Sequence, residues 1–278
     1  MQTSAPWAPS ASHFRERSRA MQLPINHFKQ ALLQGTQQLG LWCTLSSPYA
    51  IELLAGSGFD WLLIDTEHSP SDVVGVLAQL QAVAPYPVSA VVRPAWNDPV
   101  LIKRYLDIGA QTLLLPYIQN AEEAEAGVRS IEYPSSGIRG VSALTRATRF
   151  GRIKNYAAEC REQLCLLVQV ETLEAISQLE SIASVKGVDG VFIGPGDLAA
   201  SMGLLGQPGH PDVVSVIENA IATIRKHGKP AGILTGDKAL AKKCIELGTT
   251  FTAVGVDVGI LAAQTTLLRD SFTRESPC

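Results

Sequence analysis

The chain alternates between short apolar runs and longer segments in which apolar residues recur with the period of a helix. The short runs are rich in Leu, Ile and Val, which is typical of buried strands, whereas the longer segments have the pattern of amphipathic helices. Strands that alternate with helices predict a parallel sheet with crossover helices. The predicted strands cover residues 40–45, 61–65, 88–93, 112–116, 164–170, 190–193, 231–234 and 251–256.

Glycine follows several of the helical segments just before the next strand. The stretches GSGFDWLLID, DIGAQTLLLP, VKGVDGVFIG and ELGTTFTAVG share this arrangement. Glycine adopts the left-handed turn that ends a helix, so each stretch marks the junction of two βα units. Eight such units, with no GxGxxG motif after the first strand, predict an α/β fold of the closed (β/α)8 TIM-barrel type. An extra amphipathic helix, at about residues 26–34, precedes the first strand and is expected to cover the barrel floor.

Residues 1–22 differ from the rest of the chain in composition. Ser, Ala, Pro and Arg dominate there without sustained periodicity, so we expect a flexible N-terminal tail. Met21 would also serve as a natural start of the chain. Residues 23–278 have the length of one barrel of about 250 residues, and we expect them to form a single domain.

Charge and cysteine content narrow the possible functions. The formal net charge of -3 gives no electrostatic reason to expect nucleic acid as a partner. The five cysteines lack CxxC spacing, which argues against a disulfide framework and a zinc site. No apolar run approaches the roughly 18 residues of a membrane span, and no apolar signal segment is visible. We therefore expect a soluble, cytoplasmic protein without a membrane partner.

Two carboxylates follow neighbouring predicted strands. Glu171 comes after LCLLVQV and Asp197 after VFIGPG. The carboxyl ends of the strands form the active face of such barrels, so both side chains are expected in one site. Two carboxylates, completed by water and substrate oxygens, suit a divalent metal ion such as Mg²⁺, Mn²⁺ or Co²⁺. The alternative is that each acid only caps the helix that follows it.

Other chemically useful residues are expected at the same face. Arg93 ends the run VSAVVRP, and a guanidinium there would hold a substrate carboxylate or stabilise an enolate. His68 follows the acidic cluster after the second strand, and imidazole is the natural proton carrier at neutral pH. The alternatives are a surface arginine and an idle loop histidine. Further candidates at strand ends are Trp42, Asp65, Glu67, Gln169, Gly194, Gly196 and Asp257.

Asp107 is out of place among the acidic candidates. It falls in the last turn of the helix predicted before Gly109, where the helix dipole disfavours an anion, and at the barrel end opposite the active face. A structural role would be a local salt bridge with Lys103 or Arg104, and a functional role would require a neighbouring subunit. The arginine-rich stretch at residues 133–152 lies on the same bottom face. We expect this stretch to form an interface between subunits. The alternatives are a basic flap for acidic substrates and a solvated loop.

The lysines argue against covalent catalysis through an imine. None lies within a predicted strand or at its carboxyl end, and Lys238, shortly after the seventh strand, comes nearest. An enzyme that forms a Schiff base with its substrate needs such a lysine. We therefore expect neither a Schiff-base lysine nor an organic cofactor.

Several segments match one known family. They are GLWCTLSSPYA, FDWLLIDTEHSP, VVRPAWNDPVLIKRYLDIGAQTLLLPYIQNAEEA, YPSSGIRGV, LLVQVET, GVDGVFIGPGDLAAS and FTAVGVDVGIL, spread over residues 26–268. Through them the chain resembles the metal-dependent, class II pyruvate aldolases, which include 4-hydroxy-2-oxoheptanedioate (HHED) aldolase and the 2-keto-3-deoxy-rhamnonate and deoxyglucarate aldolases. The WNDPV segment is closest to the HHED subgroup. The resemblance implies a barrel of the phosphoenolpyruvate/pyruvate-binding type.

The resemblance also implies a role for each matching residue at the metal. Glu171 and Asp197 correspond to the metal ligands. Gln169 and the main chain of Gly196, next to Asp197, correspond to the positions that bind pyruvate. Arg93 resembles the arginine that binds the substrate and stabilises its enolate.

Proton transfer in the resembling family involves two subunits. His68 resembles the general base, and Asp107 resembles an acid, donated by an adjacent subunit, that raises the basicity of that histidine. We therefore expect a homo-oligomer, in the family typically a hexamer built as a trimer of dimers. The implied reaction is the reversible cleavage of a 4-hydroxy-2-oxo acid, HHED first, to pyruvate and an aldehyde, succinate semialdehyde, in the catabolism of aromatic compounds.

The sequence leaves other functions open, and it differs from the family pattern at two positions. The alternatives are a 2-keto-3-deoxy sugar-acid aldolase of the rhamnonate or glucarate type, a CoA-ester lyase, and a non-catalytic barrel that acts as a binding subunit. Gly196 stands where alanine or serine is usual, which we expect to loosen that loop. Thr66 stands where glycine is usual, which we expect to shift His68 slightly. Neither change removes a catalytic group.

Overall fold

The structure is a computed structural model that describes residues 21–272. The predicted tail thus lies outside the described residues except for Met21 and Gln22, and Cys278 lies outside them as well. Within this range the strands form one closed, parallel barrel in which each pairs with the next and the last pairs with the first. They are β1 (Gln38–Cys43), β2 (Trp61–Asp65), β3 (Ser89–Arg93), β4 (Thr112–Leu115), β5 (Cys165–Val170), β6 (Gly190–Ile193), β7 (Ala231–Leu234) and β8 (Thr249–Val256).

Helices lie between consecutive strands along the chain, as the alternating pattern predicts. No helix within residues 21–272 combines the length and the apolar character needed to cross a membrane. The helices are α1 (His27–Leu33), α2 (Pro48–Ala55), α3 (Val73–Val83), α4 (Pro99–Asp107), α5 (Ala121–Ile131), α6 (Tyr156–Gln163), α7 (Leu173–Ser177), α8 (Leu179–Ser184), α9 (Pro195–Ser201), α10 (Pro211–Lys226), α11 (Lys238–Leu247) and α12 (Asp257–Asp270).

Aromatic rings pack against one another inside the barrel. Phe28 of α1 lies edge-on to Trp61 and Phe251, with ring centroids 5.7 and 5.9 Å away. Phe251 also contacts Phe192, whose ring lies 5.4 Å from that of Trp42. Edge-on and tilted pairs of this kind bury large apolar surfaces without unfavourable face-to-face overlap. The rings therefore form a continuous core from α1, at the amino ends of the strands, towards the active face.

Two glycines make room for this aromatic core. A Cβ atom on Gly40 would lie 2.1 Å from the Trp61 ring, and one on Gly232 would lie 2.2 Å from the Phe251 ring. Neither distance is compatible with non-bonded contact, and a close-packed interior leaves no free space into which a ring could move. The rings of β2 and β8 can therefore occupy the interior only because β1 and β7 carry glycine opposite them.

The helix α4 begins and ends where the sequence predicts. The Asp98 side chain accepts hydrogen bonds from two backbone N–H groups of the first turn, both at 2.9 Å, and Pro99 follows it. Gly109, with φ of +97°, lies just past the other end. Because α4 starts at the carboxyl end of β3 and runs back along the barrel, Asp107 in its last turn lies at the end of the barrel opposite the active face.

The helix α12 presents apolar side chains to solvent. Ile260, Leu261, Leu267 and Leu268 are all exposed, and among the residues of this helix Asp257 is the buried one. An exposed set of large apolar side chains commonly marks a surface that another protein covers.

Replacement of Gly40 by alanine is expected to destabilise the protein. The added methyl group would overlap the Trp61 ring, and overpacking of this kind costs about 3 kcal/mol. Gly56→Ala is the matched control, because a Cβ atom there would make only ordinary contacts, at 3.7 Å or more. Urea unfolding should show a much lower midpoint for Gly40→Ala and a nearly unchanged one for Gly56→Ala. Equal midpoints would contradict the packing described here.

Candidate active site

The carboxyl ends of the strands surround a cavity of about 550 Å³. Its walls come from the ends of β1, β3, β5, β6, β7 and β8, from several of the segments that follow these strands, and from the segment after β2. Six of the seven predicted site residues line this cavity, as expected for groups at strand ends of a closed barrel. They are His68, Arg93, Gln169, Glu171, Gly196 and Asp197.

Arg93, the last residue of β3, is held by two carboxylates. Its Nε and Nη2 atoms donate to the two oxygens of Asp65 at 2.8 and 2.6 Å, and its Nη1 atom lies 2.7 Å from Oε2 of Glu67. Asp65 and Arg93 are partners in the register of β2 and β3, so their side chains emerge side by side. A guanidinium carries five N–H bonds, and these contacts leave at least two of them for a bound anion.

Asp65 keeps its charge in a buried position. Burial alone would raise the pKa of this carboxyl, but hydrogen bonds from Arg93, from the Glu67 N–H and from Trp42 hold the pKa below its ordinary value. The Trp42 Nε1 atom donates to Asp65 at 3.2 Å, and the Arg93 guanidinium lies 5.0 Å from the centroid of the Trp42 ring. Arg93 is therefore oriented by an ionised carboxylate and supported by an aromatic surface.

Thr66 ties these strand ends to α4. Its hydroxyl donates to the main-chain oxygen of Arg93 at 2.6 Å and accepts a hydrogen bond from the Tyr105 hydroxyl at 3.0 Å. Its backbone N–H donates to the same Arg93 oxygen at 3.0 Å. Glycine, which is usual at this position in the resembling family, would make only the backbone contact. The threonine thus adds two hydrogen bonds around Arg93.

Glu171 is a buried carboxylate that follows β5. Its Oε1 atom accepts from the backbone N–H of Tyr117 at 2.9 Å, and its Oε2 atom accepts from Nε2 of Gln169 at 2.6 Å. Tyr117 has φ of +56°, a conformation uncommon for residues other than glycine. Burial raises the pKa of Glu171 to about 7, and repulsion from Glu67 and Asp197 adds to the rise, although the two donors lower it.

The backbone of Gly194 packs directly against Glu171. A Cβ atom on Gly194 would lie 2.6 Å from Oε2 of Glu171 and 3.3 Å from Nε2 of Gln169. In contrast, a Cβ atom on Gly196 would meet nothing within 4 Å. A side chain at position 194 would therefore clash, so glycine is needed there. At position 196 there is room for the alanine or serine that is usual in the resembling family.

The donors and charges at the site fit a divalent cation. Glu67 has a raised pKa because of burial, opposed by Arg93 and His68 and increased by Asp65 and Asp197. Negative charge in such excess favours a bound cation. No group of three or more His, Cys, Asp or Glu side chains within residues 21–272 is arranged to hold a metal by itself. An ion held by two carboxylates would thus take further ligands from water and substrate, as Mg²⁺ commonly does.

Gln169 gives a second indication, besides the excess of negative charge, that the cavity binds a ligand. Its Nε2 atom donates to Glu171, but its Oε1 atom is buried and accepts no hydrogen bond from any described residue. A buried polar atom without a partner costs free energy unless a ligand or water satisfies it. Gln169 lines the cavity, so a polar group bound there is the candidate partner of this oxygen.

His68 stands at the rim of the cavity. Its side chain is 68% exposed, and its Nε2 atom lies 3.9 Å from Oε1 of Glu67. An exposed imidazole beside a carboxylate can exchange a proton with a ligand in the cavity. The same exposure leaves it accessible to another protein chain.

Asp257, another acid at a strand end, has a structural role. Its oxygens accept hydrogen bonds from the N–H and hydroxyl of Thr44, both at 2.9 Å, from the N–H of Leu45 at 3.1 Å and from the N–H of Val258 at 2.7 Å. These contacts join the segment after β1 to the start of α12. Because Asp257 does not line the cavity, it does not belong to the set of candidate metal ligands.

Asp107 lies outside the cavity, and its salt bridge is not the predicted one. It pairs with Nη2 of Arg139 at 3.0 Å, so the expected structural partner, Lys103 or Arg104, was wrong. A cation four residues before an acid has the less favourable order along a helix, whereas Arg139 reaches Asp107 from a segment packed over the helix end. Arg139 is completely buried, so residues 133–152 are not simply a solvated loop.

Two contributors to the site had no assigned role in the sequence analysis. Glu67 was a candidate only as one of several polar residues after β2, and its contact with Arg93 depends on the register of β2 and β3. The backbone N–H of Tyr117 has no signature in the sequence, because a left-handed tyrosine is set by the surrounding structure.

Comparisons with known proteins agree with this geometry. A family model described as HpcH/HpaI aldolase/citrate lyase matches residues 38–263. The sequence is 64% identical over 252 residues to a pyruvate aldolase of Rhizobium etli, covering 91% of this chain and 99% of the relative. It is 57% identical over 251 residues to a 4-hydroxy-2-oxo-heptane-1,7-dioate aldolase of Salmonella heidelberg, covering 90% and 95%. A crystal structure of an HpcH/HpaI aldolase/citrate lyase family protein from Burkholderia cenocepacia has a TM-score of 0.85 and 39% identity, covering 89% and 100%.

The raised pKa of Glu171 predicts a pH-dependent effect of Glu171→Gln on stability. A carboxyl whose pKa is raised by folding contributes stability at low pH and loses that contribution as the pH rises through about 7. In metal-free protein, Glu171→Gln should therefore stabilise the fold at pH 8 by up to about 3 kcal/mol and change it little at pH 5. Urea unfolding in the presence of EDTA measures both values.

The exposed Glu174 supplies the control for this measurement. Glu174→Gln removes a carboxylate three residues away that faces solvent, so its effect should not depend on pH in this range. An effect of Glu171→Gln that is the same at pH 5 and pH 8 would show that the Glu171 pKa is not raised.

Proposed function

Because this chain belongs to the HpcH/HpaI aldolase/citrate lyase family and is a carbon–carbon lyase, we propose that it cleaves 4-hydroxy-2-oxo acids reversibly to pyruvate and an aldehyde. The proposed principal substrate is HHED, which gives succinate semialdehyde as the aldehyde. The 57% identity to an aldolase named for this substrate supports the choice. Membership of the family also confirms the resemblance inferred from sequence and excludes the non-catalytic barrel.

One observation carries the proposal: the cavity combines an oriented guanidinium with a buried carboxylate of raised pKa. Arg93 is fixed by Asp65 and Glu67 and retains two N–H bonds, while Glu171 is buried with a pKa of about 7. Cleavage of a 4-hydroxy-2-oxo acid places negative charge on the former keto oxygen. Fixed positive groups aimed at such a charge are the main means by which enzymes stabilise it.

We assign the binding of the oxo acid to residues along the wall of the cavity. Glu171 and Asp197 would hold a divalent cation, Mg²⁺, Mn²⁺ or Co²⁺, which supplies Lewis-acid stabilisation of the charge on the keto oxygen. The buried Oε1 atom of Gln169 lacks a partner, which supports a contact of this residue with bound ligand. The open space at Gly196 supports the approach of pyruvate to its main chain. These assignments make the barrel one of the pyruvate-binding type.

Proton transfer is assigned to His68. In the cleavage direction its imidazole removes the proton of the 4-hydroxyl group, the oxygen becomes the aldehyde carbonyl, and the C3–C4 bond breaks. The electron pair of that bond forms the enolate of pyruvate. The enolate oxygen accepts hydrogen bonds from the free N–H groups of Arg93. Protonation at C3 completes pyruvate. The described lining of the cavity contains no lysine, which supports a route without a Schiff base.

We propose further that Asp107 completes the site of a neighbouring subunit and that the enzyme is a hexamer, a trimer of dimers. Asp107 does not reach the cavity of its own chain, whereas His68 is exposed at the rim. The exposed apolar residues of α12 support an assembly that covers them. An acid from a neighbour would hold the imidazole and favour its protonated form during the reaction.

The shape of the cavity favours HHED over a 2-keto-3-deoxy sugar acid. The described wall includes Leu234, Leu240 and Val256, next to the polar Thr235 and Asp237. Apolar side chains suit the methylene chain of HHED, whereas a polyhydroxylated sugar acid needs hydrogen-bond partners for each hydroxyl. The aldolases of rhamnonate and glucarate type therefore remain the second candidate.

The cysteines support a reducing compartment, which we propose to be the cytoplasm. Cys43, Cys160, Cys165 and Cys244 are buried free thiols. Burial raises the pKa of Cys244 to about 11, with a further rise from Glu218, so this thiol stays protonated and unreactive at neutral pH. A protein with this many unpaired cysteines is typical of compartments where thiols remain reduced.

The decisive assay measures pyruvate release after removal and return of metal. Protein stripped with EDTA should be inactive, and Mg²⁺, Mn²⁺ or Co²⁺ should restore cleavage of HHED with a higher kcat/KM than for the two sugar acids. Glu171→Ala should lower activity at least about 100-fold, as expected for loss of a metal ligand, whereas Glu174→Ala should not. Borohydride with substrate should trap no adduct. Failure to release pyruvate from any of these substrates with any of the three metals would overturn the proposal.

A further inference from the structure

Arg139 is a fully buried arginine outside the cavity. Its guanidinium lies 4.7 Å from the centroid of the Tyr133 ring and 5.7 Å from that of Tyr156. It makes one side-chain hydrogen bond, from Nη2 to Asp107 at 3.0 Å, while Nε and Nη1 are buried without a partner among residues 21–272. Apolar residues of similar volume would often serve stability equally well. The burial of this charge therefore calls for an explanation beyond packing.

The segment that carries Arg139 is fixed to the barrel. The backbone N–H of Arg139 donates to the oxygen of Glu132 at 2.9 Å, and that of Ile138 donates to Arg129 at 2.8 Å. Gly137 packs so tightly that a Cβ atom would lie 2.3 Å from the Arg129 oxygen. Arg139 is thus presented to Asp107 from a rigid support.

The same segment encloses the end of α4. The backbone N–H of Ala147 donates to the main-chain oxygen of Asp107 at 3.1 Å, and Nη1 of Arg146 donates to that of Ile108 at 2.8 Å. Positive charge at a helix carboxyl end is favourable, whereas an acid there is not. Arg139 and Arg146 therefore offset the cost of placing Asp107 in the last turn.

Asp107 is held on one side only. Its Oδ1 atom contacts Arg139, and its side chain retains 23% of its exposure. Exposed apolar side chains occur along the same segment as Arg139, at Ile138, Val141, Leu144 and Phe150. A fixed, partly exposed carboxylate next to such side chains is suited to contact a second copy of this chain.

We propose that Arg139 is a positioning residue that orients Asp107 of one subunit towards His68 of its neighbour. The inference rests on the proposed function, in which Asp107 completes the site of an adjacent subunit. Arg139 touches neither substrate nor the cavity of its own chain and acts only through Asp107. It holds one oxygen of the carboxylate and leaves the other free for the imidazole.

The effect of removing Arg139 follows from this geometry. Arg139→Met keeps an unbranched side chain between the two tyrosines but releases Asp107. We expect kcat to fall about 10- to 100-fold, the usual range for groups that orient catalytic residues. KM for the oxo acid and the affinity for Mn²⁺ should stay unchanged, because Arg93, Glu171 and Asp197 are intact. Arg139→Lys should recover part of the loss.

Mixed oligomers test the inference. Pairs of variants with different affinity tags are co-expressed, and oligomers that contain both are purified through both tags. In the reference pair, His68→Asn with Asp107→Asn, random assembly joins an intact His68 to an intact neighbouring Asp107 at about a quarter of the sites. Arg139→Met with His68→Asn should recover to the same level. Arg139→Met with Asp107→Asn should stay between the activities of the two parent variants, because no site then pairs an intact His68 with a neighbour that carries both Arg139 and Asp107.

The outcomes separate the possible roles of Arg139. Recovery with Asp107→Asn but not with His68→Asn would overturn the inference, because Arg139 would then act on its own cavity. Recovery with neither variant would also overturn it, since Arg139 would then support folding in general. Arg161→Met is the control, because Arg161 pairs with Glu132 at 2.9 Å and does not contact Asp107. It should leave kcat unchanged.

The proposed function is tested separately in the same series. If wild-type protein releases no pyruvate, or if the reference pair shows no recovery, the proposed function or its shared site fails before Arg139 is considered. If both succeed while Arg139→Met keeps the kcat of wild type, only the inference about Arg139 fails.

Discussion

The bidentate ion pair between Asp65 and Arg93 sets the geometry on which the rest of the site depends. It joins the last residues of two adjacent strands, and both partners are buried. A buried ion pair is costly unless its geometry is good and its remaining polar atoms are satisfied. Here the Trp42 indole and the Glu67 backbone N–H donate to Asp65, and the Glu67 carboxylate lies beside the Arg93 guanidinium. The result is a guanidinium whose direction is fixed before any ligand arrives, which is the condition for effective electrostatic catalysis.

The carboxylate of Glu171, in contrast, lies in the cavity wall without a cation beside it among the described residues. Glu171 is buried close to other carboxylates, and its pKa of about 7 shows that ionisation is unfavourable without a compensating charge. The close approach of Gly194 and the hydrogen bonds from Tyr117 and Gln169 hold it in place. The proposed divalent cation would remove this repulsion, so the unfavourable charge at the site would favour its binding. The charge of Arg93 is thus compensated within the protein, whereas the charge of Glu171 would be compensated only by a bound cation.

Sequence patterns predicted the barrel, and they placed six candidate residues at the cavity that these residues line, for a clear physical reason. In a closed parallel barrel every strand end faces one cavity, so Glu171, Asp197, Arg93 and His68 could be grouped without knowing their distances. Individual contacts were less predictable. The pairing of Asp65 with Arg93 follows from the register of β2 and β3. The sequence pattern fixes the limits of a strand only to within a residue or two. For example, β1 begins at Gln38 and not at the predicted residue 40.

Contacts made by irregular segments could not be predicted at all. The partner of Asp107 is Arg139, more than thirty residues along the chain, and the stretch around it contains several arginines with no feature that distinguishes them in sequence. Its selection depends on how residues 133–152 fold over the end of α4. The same holds for the backbone N–H of Tyr117, which any residue type could have supplied.

The proposed function requires that this cavity stabilise the enolate of pyruvate with the help of a divalent metal. Exchange of the pyruvate methyl protons in D₂O, followed by proton NMR without any aldehyde, tests it most directly. With Mg²⁺ the wild-type protein should exchange these protons, while EDTA or Glu171→Gln should abolish the exchange and Glu174→Gln should preserve it. Absence of exchange in the wild-type protein, or exchange that persists in EDTA, would contradict the account.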